Sequence, residues 1–159
     1  MQFETYIKKT RETAIYPEDY ERDYVIHGLV DELGELKRAV MAPSKNGGVP
    51  RRYSSGHVGQ LCKEMGDALW YLARLYDHFN IETEEHGRIQ SLSPIDLEIG
   101  EKKVEEALLA AAKINGYQKK SVRDDADKSN GIRVAAKNIM LNLRKAAHHL
   151  GVYDIEVVL

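Results

Sequence analysis

The strongest helical pattern in this chain runs from His57 to Phe79 and reads HVGQLCKEMGDALWYLARLYDHF. Its apolar residues recur every three or four positions, which is the spacing of one face of an α-helix. These residues are Leu61, Met65, Ala68, Leu69, Leu72, Leu75 and Phe79. The stripe looks too continuous for a small monomer to cover, so the sequence predicts a stable homodimer.

The rest of the chain carries the same periodicity, and strand-like alternation is nearly absent. Helices are predicted at Phe3–Thr13, Glu18–Met41, about Ile95–Ile114 and about Gly131–Leu150, with a last turn towards Leu159. Loops are predicted by composition at 42–53, at 82–94 and, after a helix stop at Asn115-Gly116, as a charged loop at 116–130. We therefore expect a single all-α domain over residues 1–159, a helical bundle of four to five helices.

The amino-acid composition limits the binding partners and the cellular setting that we expect for this chain. Lysine and arginine number 23 against 25 acidic residues, so the net charge of -2 gives no general attraction to nucleic acid or to anionic membranes. Cys62 is the only cysteine, which excludes an intramolecular disulfide. No apolar run approaches 18 residues and no signal-peptide pattern follows Met1. A cytoplasmic protein without a membrane partner is expected.

Two of the predicted helices each carry a pair of acids spaced by three residues: Glu32 with Glu35, and Glu64 with Asp67. Residues i and i+3 share a helix face, so antiparallel packing of the two helices would bring four carboxylates together. Hard oxygen ligands of this kind suit Mg²⁺ or Mn²⁺. Each pair also has a neighbouring glycine, Gly34 or Gly66, which suggests a close approach between helices.

Spacing alone does not make these acids a metal site. Four further pairs have the same spacing, at positions 18/21, 82/85, 98/101 and 124/127, and most such pairs are solvated helix faces. The 32/35 and 64/67 pairs differ because they lie in the middle of helices, beside the apolar stripe. From the residues alone, a metal site and a structural pair of charged faces both remain open.

The same residues carry a resemblance to a known family. Asp31-Glu32-x-x-Glu35 followed by Glu64-x-x-Asp67, with the surrounding stretches 10–17, 27–35 and 63–73, resembles the MazG-like all-α nucleoside triphosphate pyrophosphohydrolases, especially their short phage and bacterial members. The resemblance covers about residues 3–80. Asp31 departs from the family pattern, which has glutamate there, and residues 82–130 look like a helical insertion relative to the smallest members.

The resemblance implies Mg²⁺-dependent hydrolysis of NTP or dNTP to nucleoside monophosphate and pyrophosphate, with Mn²⁺ as a possible substitute. Glu32, Glu35, Glu64 and Asp67 would be both the metal ligands and the catalytic residues. It also implies a homodimer or a dimer of dimers, with the site near the interface. The alternative from a different class is a helical module that binds nucleotide or a protein partner without catalysis.

Three further side chains are candidates for substrate binding. Arg38 follows Glu35 by three residues, and Tyr71 and Arg74 continue the Glu64/Asp67 face, so all three are placed to face a triphosphate. Ion pairs on the helix surface are the alternative for both arginines. Trp70 is assigned to the core rather than to base stacking. The absence of any Glu-x-x-His or Asp-x-x-His spacing argues against a di-iron carboxylate bundle.

Overall fold

A computed structural model describes residues 1–42, 52–83 and 94–152. Within these ranges every regular element is a helix, and the helices are α1 (Phe3–Thr10), α2 (Glu21–Met41), α3 (Ser55–His78), α4 (Leu97–Asp124) and α5 (Ser129–His149). Two 3₁₀ turns, Arg11–Thr13 and Glu18–Tyr20, lie between α1 and α2. The predicted all-α class is confirmed. The predicted loops at 42–53 and 82–94 and the turn towards Leu159 fall largely outside the described residues.

The bundle is built from pairs of neighbouring helices. Helix α2 packs against both α3 and α4, α5 packs mainly against α4, and α1 lies on α3. Ser54 starts α3 by accepting a hydrogen bond from the amide of His57, and Asp96 starts α4 by accepting from the amides of Glu98 and Ile99. Among the helices that the structure describes, none combines the length and the apolar character that a membrane-spanning helix requires.

The apolar stripe of α3 forms the centre of the core. Leu61, Met65, Leu69, Leu72 and Leu75 are completely buried within a single copy of the chain. The stripe is covered by the neighbouring helices α1, α2 and α5. The argument that this stripe demands a second copy is therefore wrong, and a dimer needs another surface.

The predicted stop at Asn115-Gly116 is also wrong. Helix α4 continues for eight residues beyond Gly116 and ends at Asp124, where Asp125 takes a left-handed conformation with φ 48°. Gln118 explains the extension, because it is buried and its amide donates to the carboxylate of Asp23 on α2 at 2.8 Å. Such contacts outweigh the ~1 kcal/mol that a glycine costs inside a helix. Most of the predicted charged loop at 116–130 is thus helical.

Candidate metal centre

Antiparallel packing of α2 and α3 brings three acidic side chains together. Oxygen atoms of Glu32, Glu35 and Glu64 all lie within 4.8 Å of one another. In the part of the chain that the structure describes, no other group of three potential ligands meets this spacing. Of the acidic pairs with the same spacing, Glu98 is exposed and Glu101 binds Lys37 at 3.1 Å. Three-dimensional packing thus separates this cluster from sequence pairs that look the same.

Asp67, the fourth predicted ligand, lies beside this group rather than in it. Its carboxylate accepts a hydrogen bond from Lys63 Nζ at 2.8 Å, one turn earlier on α3. The same ammonium lies 3.7 Å from Glu64 Oε1. Lys63 is therefore a local counter-ion that the sequence argument missed, although its spacing of four residues from Asp67 is the one at which helix ion pairs form.

The negative charges at the cluster are only partly compensated. Partial burial raises the pKa of Glu32, and the neighbouring charges of Asp67, Glu35 and Glu64 raise it further, against a smaller opposing effect from Lys63. Arg38 is exposed and lies 3.5 Å from Glu35, so it adds a second, solvated cation. The folded chain thus holds carboxylates closer together than their mutual repulsion favours.

Glu64 is the least solvated member of the cluster. Its side chain is 11% exposed, and its Oε2 atom is buried without a hydrogen-bond partner in ranges 1–42, 52–83 and 94–152. A buried carboxylate oxygen without a partner loses its hydration and gains nothing in return. This atom is therefore open to a cation or a donor that the described part of the chain does not supply.

The other predicted substrate-binding residues have defined partners. Arg74 is buried and binds Tyr16, Glu21 and Asp77, so its contacts are those of a structural ion pair. The Tyr71 hydroxyl instead contacts that of Tyr24 at 3.4 Å. Its pKa is raised by burial, by the hydrogen bond with Tyr24, and by the negative charges of nearby acids including Glu32.

Tyr71 belongs to a cluster of aromatic rings beside the acids. Tyr16, Tyr24, Trp70 and Tyr71 are in contact, with neighbouring ring centroids 4.7–6.3 Å apart. Trp70 is half-buried rather than part of the core, and its indole donates to the Thr13 hydroxyl at 2.9 Å.

The close approach between α2 and α3 occurs at a glycine that the sequence argument did not select. A Cβ atom on Gly28 would lie 2.1 Å from the ring of Tyr71, so only glycine leaves room for that ring. A Cβ atom on Gly34 would meet nothing closer than the Arg38 guanidinium at 4.0 Å. The close approach predicted at Gly34 is therefore wrong.

Comparison with known proteins gives no relative for this chain. No family model, curated protein or solved structure matches it. What the site can do must accordingly be argued from its own side chains.

Those side chains fit a hard divalent cation. All the donors are carboxylate oxygens, which Mg²⁺ and Mn²⁺ prefer over nitrogen and sulfur donors. The unpartnered Glu64 Oε2 atom is the observation that tests the fit, because coordination would satisfy it without any change of fold. Glu32, Glu35 and Glu64 are the residues that would hold such an ion. Asp67 would join them if its carboxylate bound the ion in place of the Lys63 ammonium.

Proposed function

We propose that this chain is a divalent-metal-dependent nucleoside triphosphate pyrophosphohydrolase of the MazG-like class, releasing pyrophosphate and a nucleoside monophosphate. One observation carries the proposal. The two acidic pairs that form the motif in sequence supply the three carboxylates that lie within 4.8 Å of one another on facing helices. A binding module without catalysis has no need for an electrostatically unfavourable cluster of this kind.

In this proposal, the chain's own residues act mainly by positioning charge. A bound Mg²⁺ ion would neutralise negative charge on the phosphate oxygens and would lower the pKa of a water molecule bound to it. Glu32, Glu35 and Glu64 fix the place of that charge on two rigid helices, which avoids reorganisation during the reaction. Arg38 is exposed beside Glu35, where its guanidinium can pair with a phosphate oxygen.

A screen of the common NTPs and dNTPs with Mg²⁺ tests this proposal. The expected result is metal-dependent formation of monophosphate and pyrophosphate in equal amounts from at least one of them. Release of inorganic phosphate with the diphosphate as the other product would contradict the proposed bond cleavage. Tight nucleotide binding with no turnover under any metal would support the alternative, a non-catalytic nucleotide-binding module.

A separate prediction concerns stability and needs no substrate. Mg²⁺ or Mn²⁺ at about a hundred times its Kd should stabilise the folded state by about 2.7 kcal/mol, because it binds only the folded chain. For a domain of this size, that free energy corresponds to roughly 5–10 °C in Tm. Differential scanning fluorimetry with and without the metal measures the shift.

Glu64→Gln and Glu98→Gln provide the matched pair for this measurement. The Glu64 variant should lose the metal response while keeping, or slightly raising, the metal-free Tm, since one repelling charge is removed. The exposed Glu98 lies on α4 outside the cluster, so its variant should respond as the wild type does. An equal metal response in all three proteins would show that the ion binds elsewhere.

A further inference from the structure

Lys63 contacts two of the four acids that the proposed metal site would use. Its Nζ atom lies 2.8 Å from Asp67 Oδ2 and 3.7 Å from Glu64 Oε1. The lysine side chain is 68% exposed, so its ammonium is held there by the two carboxylates rather than by packing of its stem. A cation of the chain itself therefore neutralises part of the charge at which a metal ion would bind.

The ion pair between Lys63 and Asp67 contributes little to the stability of α3. Exposed ion pairs four residues apart stabilise a helix only weakly, and the order in which the acid comes first is the more favourable one. In this pair the lysine comes first. The main effect of Lys63 is therefore on the charge of the acidic cluster rather than on the helix.

An ammonium and a divalent cation would compete for these carboxylates. Asp67 Oδ2 already accepts a hydrogen bond from Lys63, and a hard cation bound to the same carboxylate would repel the ammonium at close range. The lysine can leave at a small cost, because a solvated ion pair is weak. It still remains within reach of both acids, because it lies on the same helix next to Glu64. Its effective concentration at the site is accordingly high.

Arg38 provides a comparison, because it is a cation beside the same cluster. Its side chain is 74% exposed, and among the described residues its one ion pair is with Glu35, at 3.5 Å. Lys63 has the same charge and a similar exposure, but it contacts two acids, one of which is Glu64, the least solvated member of the cluster. The two cations thus differ mainly in how many of the proposed ligands they contact.

We propose that Lys63 is an internal competitor of the metal ion, and that it sets the concentration of divalent cation at which the site fills. In the metal-free chain, its ammonium partly compensates Glu64 and Asp67. Binding of the ion requires Lys63 to release these carboxylates and turn towards solvent. The inference rests on the metal site of the proposed function, but not on turnover of any nucleotide.

Isothermal titration calorimetry with Mn²⁺, in the absence of nucleotide, tests this role. Lys63→Met keeps an unbranched side chain that favours a helix but removes the charge. Mn²⁺ should therefore bind to this variant roughly tenfold more tightly than to wild type, because the competing cation is gone. Lys63→Arg retains a cation at the same position, so its Kd should stay within about threefold of the wild-type value.

Arg38→Met is the matched control. It also removes an exposed cation beside a cluster acid, but this cation contacts only Glu35 among the described residues. Because solvent and salt screen such a charge, its removal should tighten Mn²⁺ binding by no more than about threefold. Circular dichroism should show unchanged helix content in all three variants.

The proposal is overturned if Lys63→Met binds Mn²⁺ no more tightly than wild type does. It is also overturned if Arg38→Met tightens binding equally, since that result would show a general effect of charge. Absence of Mn²⁺ binding in both wild type and Lys63→Met would reject the metal site itself and this role with it. Tighter Mn²⁺ binding by Lys63→Met, combined with a failed nucleotide screen, would support the role of Lys63 and reject only the proposed enzymatic activity.

Discussion

Glutamine in place of Glu64 is expected to lower the rate of pyrophosphate release by roughly a thousandfold while leaving the fold intact. Glutamine keeps the volume of the side chain but removes the charge of the most buried ligand, the one whose Oε2 atom has no partner among the described residues. A catalytic metal contributes several kcal/mol of charge stabilisation, and about 4 kcal/mol corresponds to a factor of a thousand in rate. Steady-state kinetics with the best substrate from the nucleotide screen measures the effect.

Glu98 supplies the control for this experiment. It is an exposed acid on α4 that also belongs to a pair spaced by three residues, with Glu101. Glu98→Gln should retain wild-type kcat and KM. Near-wild-type turnover by Glu64→Gln, or an equal loss in Glu98→Gln, would remove the acidic cluster from the reaction. Helix content measured by circular dichroism separates loss of activity from loss of fold.

Helix positions were largely predictable because the apolar periodicity that indicates a helix lies within a short stretch of sequence. The stripe from Leu61 to Leu75 recurs at helical spacing, and the structure buries every one of its leucines. The pairing of Glu32 and Glu35 with Glu64 followed from the same periodicity once α2 and α3 were taken as antiparallel. Residues that share a helix face can be identified from their spacing alone.

The features that were not predictable depend on contacts between distant parts of the chain. Helix α4 passes through Gly116 because Gln118 reaches Asp23 on another helix. The close approach of α2 and α3 occurs at Gly28 because the ring of Tyr71 lies there, 43 positions away. Neither partner is identifiable from its own neighbourhood in the sequence.

Arg74 is a further case, because its position on the face of Glu64 and Asp67 left a substrate contact and an ion pair both open. In the structure, its guanidinium is held by oxygen atoms of Tyr16, Glu21 and Asp77. Burial lowers the pKa of Arg74, but its hydrogen bonds with Tyr16 and Glu21 outweigh burial and raise it. The ion pair between Arg74 and Glu21 connects the end of α3 to the start of α2, beside the aromatic rings.

Arg74→Met is expected to lower the free energy of unfolding by about 3 kcal/mol at neutral pH, because removal of one member of a buried ion pair leaves the charge of Glu21 without its arginine, although Asp77 keeps Arg11. The side chain of Arg74 is only 7% exposed, and those of Glu21 and Asp77 are 17% and 16% exposed. Urea unfolding followed by circular dichroism measures the change. Arg38→Met is the matched control, since Arg38 also pairs with an acid three residues away but is 74% exposed, so its loss should cost less than 1 kcal/mol.

The loss in Arg74→Met should shrink as the pH falls. In wild type, hydrogen bonds from Arg11 and Arg74 lower the pKa of Asp77. Burial raises the pKa of Glu21, but its hydrogen bonds with Arg74, Tyr16 and His78 together outweigh burial and lower it. Carboxyls with lowered pKa values stabilise the fold above their unfolded values, 3.8 and 4.5, and that stability disappears as the pH falls through the folded values. In the variant, burial acts on Glu21 without Arg74 and favours the protonated carboxyl, so acidification should remove the cost of the buried charge there. The difference in unfolding free energy between the two proteins should therefore be smaller at pH 3 than at pH 7. A difference that stays constant or grows on acidification would show that Arg74 stabilises the fold by packing rather than by charge.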